Sequence, residues 1–449
     1  MENNDAIKKR FIYMTETPVP KLITTLAVPT IISMLVTSLY NMADTFFVGR
    51  ISTQATAAVG IVFSVMAVIQ AFGFFCGHGS GNSMSRFLGT GDTKSAQEMA
   101  STGFALSFLL GATLTVFGLI NLDALAKALG ATPTIMAETK AYLRIILIGA
   151  PFTTSQFVIN NQLRFQGSAM YSMVGLVSGA IINIALDPIF IFGFGLGVAG
   201  AAAATVMSQM IAFTILMIGS FRGPNIHVSL RTIRFNRRYL LGIVNGGAPS
   251  LARQGLASMA AIVMNYAAGG IGGDAAIAGL SVVNRVMMFM FYALIGFGQG
   301  YQPVCGFNYG AGLYSRVKEG YFFCVKYGTI LFLILGTLCA LFSPQIIGFF
   351  RDDPDVIAVG AKALRFTAFA FPLNATIVIT NMLLQSIGKG VRATLLATCR
   401  SGLYYIPLML IFPGILGILG IEITQMCADI LTFLTAVPFA RSILKELSE

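Results

Sequence analysis

Tryptophan is absent from this 449-residue chain, histidine occurs twice, and charged residues make up only 10% of it. The two histidines, His78 and His227, leave no Cys/His cluster at metal-ligand spacing and no compelling Ser-His-Asp set. A zinc centre and a triad hydrolase are thereby disfavoured, and no resident cofactor is expected. So few charges cannot clothe a water-facing surface, whereas 56% apolar residues suit a lipid-facing one. The six cysteines (Cys76, Cys305, Cys324, Cys339, Cys399 and Cys427) all lie in apolar stretches, so they read as reduced packing residues rather than as disulfides. Without tryptophan, the interface belt rests on Tyr and on snorkelling Lys or Arg.

What the chain does contain is itself, twice. At an offset of 221 residues Gly77 falls on Gly298, Gly79 on Gly300, Gly89 on Gly310 and Gly91 on Gly312. The match runs on through Glu98 and Glu319, Pro133 and Pro354, Arg144 and Arg365, Pro151 and Pro372, Asn160 and Asn381, and Gly167 and Gly388. Glycine and proline record backbone requirements, so one fixed offset points to two copies of one fold. Duplicated membrane folds are typical of secondary transporters, which rock one repeat against the other.

A membrane span needs about 20 mostly apolar residues. Twelve such stretches are predicted, at roughly 21–46, 56–84, 98–120, 137–162, 170–192, 197–220, 242–267, 277–305, 320–342, 357–385, 392–412 and 416–440. Six per copy is even, so the copies are parallel, with a pseudo-two-fold axis along the membrane normal. The expected organisation is a first lobe over 1–220, a linker over 221–241 and a second lobe over 242–449. Lys8, Lys9, Arg10, Arg86, Arg164, the linker arginines, Arg316 and Lys389 share one side with the termini, which the positive-inside rule assigns to the cytoplasm. The net charge of +11 is then a topology signal rather than a nucleic-acid footprint. The start is polar and the first apolar run is long enough to span, so a multi-pass inner-membrane protein with no cleavable signal is expected. The glycine-studded turns Arg86–Asp92 and Asn308–Gly312 follow no strand and precede no Lys-Ser or Lys-Thr, which argues against a phosphate loop.

Ionisable residues within spans are the sharpest clue, because each costs several kcal/mol unless paired or hydrated. The acids are Asp44, Asp187, Glu422 and Asp429; the bases are Arg253, Arg285 and Arg400. Asp44 and Asp187 belong to the first copy, which has no intramembrane base near them in sequence. Both lie near the outer ends of outward-running spans, where two carboxylates can share a cation or a proton, or simply make buried hydrogen bonds. Asn183 precedes Asp187 by one helical turn and Tyr40 precedes Asp44 likewise. Pro188 frees the carbonyl of Ile184, and Thr205 of span 6 falls in the same slab. Sodium, if it is the ion, would meet Asp44, Asn183, Asp187 and Thr205. The second copy has Asn265 and Leu408 in place of the two acids, so the fold itself does not require them. Glu422 and Asp429 read instead as structural partners of Arg253 or Arg400. Asn160, Arg253, Met259 and Met287 are candidate residues of a substrate cavity, the methionines because flexible thioethers suit varied ligands.

Tyr40–Thr45, Ser85–Asp92, Asn183–Pro188, Gly200–Thr205, Gly298–Pro303 and Gly306–Gly312 together resemble the multidrug and toxic compound extrusion (MATE) family over about residues 20–440. The resemblance implies an all-α, V-shaped pair of six-helix lobes. It also implies export of amphipathic, often cationic compounds against inward Na⁺ or H⁺, by a carrier expected to be a monomer and not an enzyme. In that family the residues matching Asp44 and Asp187 form the cation site, those matching Asn183 and Thr205 are its neutral partners, Tyr40 is adjacent, and Pro29 matches the proline at which span 1 bends. One branch carries acids in spans 7 and 10; here span 7 reads Arg253-Gln254 and span 10 has none, which fits the DinF-like and prokaryotic multidrug branches better. The alternative is a flippase for a lipid-linked intermediate, for which Arg253 and Arg285 would supply phosphate contacts.

Overall fold

The computed structural model describes residues 2–448. Among them every regular element is a helix. The first six spans are Val19–Gly49, Thr53–Gly89, Thr93–Ile120, Met136–Phe165, Ala169–Gly193 and Gly197–Ser220. Arg237–Gly310 is continuous by hydrogen bonding, but 74 residues would stretch roughly 110 Å as one helix, several times a bilayer. The chain breaks at Gly273, whose φ of 59° is open to glycine and costly for other residues, giving span 7 (237–272) and span 8 (274–310). Spans 9 to 12 are Tyr314–Leu341, Pro354–Ser386, Gly390–Leu416 and Ile418–Glu446. Twelve spans result. The outer loop expected between 267 and 277 is in fact helix on both sides of one glycine.

The repeat read from sequence is a repeat of structure. Short helices Leu122–Ala128 and Ser343–Phe350 precede spans 4 and 10 at the same offset. Gly91 and Gly312 turn with φ of 77° and 75°, Gly167 and Gly388 with 86° and 85°. Asn160 Nδ2 donates to the carbonyl of Ser172 at 3.0 Å, and Asn381 Nδ2 donates to that of Ala393 at 2.6 Å, again 221 residues on. Outside the repeat, since they are not mates, Asp92 and Asp353 cap spans 3 and 10 by accepting from the main-chain N–H of Ser95 (2.9 Å) and of Val356 (3.3 Å). Both termini lie on one face, here termed the terminal face, as an even number of spans requires.

The lobes meet where glycines let backbones touch. Span 2 packs on span 7, with Gly79 and Gly246 in backbone contact, and span 1 packs on span 8 through Ala27 and Gly300. The contacting pairs are 1 with 8 and 2 with 7, each the two-fold mate of the other. At the axis, Gly89 lies against the carbonyl of Phe307 and Gly310 against that of Arg86, mates in both members. Cross-lobe hydrogen bonds lie on the same side: Ser85 Oγ to Pro303 O, Arg86 Nη1 to Ser386 O and Ser386 Oγ to Asn82 Oδ1. Among the described residues none lies farther from the terminal face than the His78–Ser250 pair. Backbone contacts run farther, Gly247 against Phe75 and Gly296 against Ile31. Phe75 and Gly296 are each fourteen residues from the end of their span, 2 or 8, so the seam is about 21 Å deep.

Two polar stretches are more structured than expected. The linker, anticipated as solvated, is pinned to the first lobe by Ser229 N to Ser101 Oγ (3.0 Å), Arg234 N to Thr102 Oγ1 (3.0 Å) and Asn225, which holds Arg10 Nη2 at 2.7 Å. The N-terminal stretch is a helix, Glu2–Glu16, whose Met14 is fully buried and whose Phe11 ring sits 5.6 Å from that of Phe307. Phe11 and Met14, three residues apart, are the amphipathic signal behind it.

A Cβ at position 310 would lie 2.2 Å from the Arg86 carbonyl, whereas one at Gly255 meets nothing within 4 Å. Gly310→Val is expected to cost about 1–3 kcal/mol of closed-state stability and to lower the melting temperature of the purified protein, with Gly255→Ala as the neutral control. An unchanged melt for Gly310→Val would contradict this packing.

Candidate functional site: a first-lobe carboxylate pair

Span 5 approaches its outer end through Asn183 and Asp187, one turn apart and both buried. Pro188 follows, offering no N–H to the Ile184 carbonyl, and the helix widens into a π-turn over Ile189–Gly193. Asn183 Nδ2 reaches Asp187 Oδ1 at 3.5 Å, a long contact that leaves both carboxylate oxygens weakly held. Asp44 of span 1 stands within electrostatic range of Asp187, half-buried, with Tyr40 one turn nearer the terminal face. Thr205 of span 6 is buried in the same neighbourhood. The five residues named from sequence are therefore brought together.

What distinguishes this cluster is unspent acceptor capacity. Asp44 Oδ1, Asn183 Oδ1 and Asp187 Oδ2 are all buried without a donor. Buried acceptors normally find partners, and each that does not costs about 1–3 kcal/mol. No lysine or arginine is paired with either acid among the described residues. Three oxygens from two spans, two of them on carboxylates, match the hard-oxygen chemistry of an alkali cation, and either carboxylate can equally take a proton. Sequence reading missed Tyr142. This span 4 residue is fully buried beside Thr205 and within electrostatic range of both acids. Its counterpart in the second copy is Ala363, so the same comparison that exposed the lost acids could have found it.

The second lobe solves the same problem oppositely. Asp429, wholly buried, accepts from Arg400 Nε at 2.9 Å, from Asn374 Nδ2 at 2.9 Å and from Gln425 Nε2 at 2.8 Å. The guanidinium lies 4.2 Å from the Phe291 ring centroid. Asp429 is thus a satisfied structural acid with Arg400, not Arg253, as its partner. Glu422 is buried one face-repeat away and makes no ion pair among the described residues.

Two of the residues assigned to a substrate cavity are elsewhere. Asn160 is buried inside the first lobe, its amide committed to Ser172 as a brace between spans 4 and 5. Met287 is buried in the second-lobe core with Met264. Met259 is exposed and Arg253 half-buried on span 7. Pro29 is buried within span 1, which stays helical from Val19 to Gly49, with the Ser33 hydroxyl donating to the Pro29 carbonyl at 2.8 Å.

The sequence model of the MatE family matches residues 29–189 and 249–411, one match in each lobe. The multidrug export protein MepA of Staphylococcus saprophyticus is 26% identical over 431 residues, which cover 96% of this chain and 95% of that protein. A solved outward-facing conformation of a multidrug resistance MATE family transporter superposes with a TM-score of 0.91 at 27% identity, covering 97% of this chain and 98% of that one. A transporter of the MOP superfamily from Pyrococcus furiosus, described as having a binding pocket of reverse polarity that suggests a different function, gives 0.89 at 28% identity over 98% of each chain.

Arg400→Met strands a buried carboxylate and should cost on the order of 2–4 kcal/mol, less than a fully buried pair because the arginine is a quarter exposed. Adding Asp429→Asn should restore most of the lost melting temperature. A double variant no more stable than Arg400→Met would show that the pair is not structural.

Proposed function

Because the chain belongs to the MatE family, with a match in each half, we propose that it is a secondary transporter exporting small amphipathic, often cationic compounds by antiport with Na⁺ or H⁺. The carrying observation is the first-lobe cluster with its three donorless buried oxygens. Multidrug export by the similar MepA protein supports the same substrate class. By the positive-inside rule, the basic residues on the terminal face support its lying in the cytoplasm of a cell whose inner membrane the chain spans. The similarity to an outward-facing MATE transporter supports lobes that are closed on that side and open on the other.

Coupling follows from electrostatics. With Asp44 and Asp187 ionised and unpaired, the first lobe favours whatever supplies a positive charge: the exported cation, a sodium ion or a proton. An ion entering from outside neutralises the pair, releases the substrate cation and lets the neutralised lobe relax toward a cytoplasm-facing state. Antiport requires only that ion and substrate not share the charge at once. Tyr40, Asn183, Thr205 and Tyr142 shape the site around the acids. Asn183, Thr205 and the free Ile184 carbonyl suit Na⁺; the carboxylates alone suffice for H⁺. Pro29, by removing one hydrogen bond from span 1, gives the lobe a low-cost place to bend between states.

A second reading, a flippase for a lipid-linked phosphate compound, is favoured by Arg253 and Arg285, which have no carboxylate partner among the described residues. Proteoliposomes separate the two: antiport moves a fluorescent organic cation only under an imposed Na⁺ or pH gradient, while a flippase equilibrates a labelled lipid without one.

In such vesicles Asp44→Asn and Asp187→Asn should each abolish gradient-driven export while the protein still inserts and folds. Glu422→Gln should retain substantial transport, and Pro29→Ala should lower turnover more than it weakens substrate binding. Wild-type pumping by both aspartate variants would remove the first-lobe site from the mechanism.

A further inference from the structure

On the terminal-face side the seam between the lobes is crossed by a buried polar cluster that the cation site does not use. Arg164 of span 4 is 1% exposed, and its guanidinium is met by no carboxylate. Its Nη1 donates across the lobes to Gln299 Oε1, and its Nη2 donates to Asn161 Oδ1 and to His78 Nε2, the last at 3.1 Å. A guanidinium only donates, so His78 Nε2 must present its lone pair. The ring proton then sits on Nδ1 and is donated across the lobes to Ser250 Oγ at 2.8 Å. Ser250 Oγ also accepts from Gln385 Nε2 at 3.1 Å. The repeat makes the arrangement legible: His78 and Arg164 are the mates of Gln299 and Gln385. The bonds run in one chain across the seam, Gln299–Arg164–His78–Ser250–Gln385, in which His78 alone titrates near neutral pH.

We propose that this hydrogen-bonded chain is a proton-linked latch: the cytoplasmic gate closes only around neutral His78, and proton uptake by His78 accompanies its opening. In the closed gate a proton on Nε2 would displace the Arg164 N–H and set an imidazolium against a guanidinium. The charged groups facing the ring are Arg164 from span 4 and Arg253 from span 7, both cationic; Phe74 stacks on it at 5.2 Å and Phe165 meets it edge-on. Nothing there compensates a further positive charge. When the lobes part on the cytoplasmic side, the cross-lobe bonds of Arg164 to Gln299 and of His78 to Ser250 break, and water reaches both side chains. The guanidinium, no longer held by Gln299, can turn to solvent and leave Nε2 free to take a proton from the cytoplasmic solution. The proton must leave again before the gate recloses. Cytoplasmic acidity therefore biases the carrier toward the state that loads substrate from the cytoplasm. This rests on the alternating-access reading above but uses residues separate from the coupling carboxylates.

Linkage sets the size of the effect. If the ring is excluded from protonation when closed and ordinary when open, with a pKa of about 6.5, lowering pH from 7.5 to 5.5 raises the open-to-closed ratio roughly tenfold. Spin labels at Lys94→Cys and Ser315→Cys, repeat mates at the exposed starts of spans 3 and 9, would report gate distance in nanodiscs, with the unlabelled native cysteines as background control. The expected result is a short distance at pH 7.5 and growth of a long-distance population at 5.5. His78→Gln keeps an acceptor for Arg164 and a donor for Ser250, as Gln299 does at the mate position, and should remain short at both. The response should persist in Asp44→Asn/Asp187→Asn, which leaves His78 untouched. An identical pH response in His78→Gln, or its disappearance in the double aspartate variant, overturns the latch while leaving alternating access intact. A distance that neither pH nor Na⁺ nor substrate can move overturns both.

Discussion

The constraint on which the whole molecule depends is that a polar group in the membrane must find its partner inside the protein. Helices settle that account for the backbone, and the side chains show what remains. Asp429 is surrounded by three donors and becomes part of the scaffold. Asp44 and Asp187 have no such escort, and three oxygens around them stay unmatched. The same residue type is structural in one lobe and poised in the other, and the difference is one arginine. Since the scaffold accommodates asparagine and leucine at the corresponding positions of the second lobe, the acids are a cost that the fold does not need.

Backbone proximity is the second requirement, and glycine meets it. Apolar side chains drive little association between helices already in lipid, so close packing and polar bonds must hold the lobes together. The contacts of Gly79, Gly89, Gly246, Gly300 and Gly310 put main chain against main chain along a seam about 21 Å deep. Such a seam suits a part that must separate and reform. Its bonds are neutral or singly charged, between serine, asparagine, glutamine and arginine, and water can replace each when the seam opens.

Much of this was legible in the sequence because its signals are local or periodic. Apolar run length gave the spans, glycine and proline at one offset gave the repeat, and the scarcity of charge isolated the four acids. The five first-lobe residues could be gathered by depth alone, since each helix orders its residues along the membrane normal. What escaped depends on rotation about that normal. Asn160 and Met287 lie at plausible depths for a cavity but point into their own lobes, one held by Ser172 and the other packed with Met264. The order of spans around the axis, 1 against 8 and 2 against 7, likewise leaves no trace in depth. Span boundaries at Gly273 were hidden because a one-residue break reads as a short glycine-rich loop.

Span 4 ties the two polar centres together. It carries Tyr142 beside the carboxylates at its outer end and Arg164 in the gate at its inner end, twenty-two residues and about 33 Å apart. Pro151 interrupts its hydrogen bonding between them, so the helix has a place to flex midway. Span 10, its repeat mate, has Pro372 at the equivalent point and Gln385 at the equivalent inner end, but Ala363 where Tyr142 stands. One lobe therefore carries tyrosine and arginine at these two positions of the helix, and the other carries alanine and glutamine. A carrier whose lobes were chemically identical would respond to an ion at both sites alike. Here only the first lobe has buried acids without a basic partner at the outer end, among the described residues, together with an arginine that crosses the seam at the inner end of span 4.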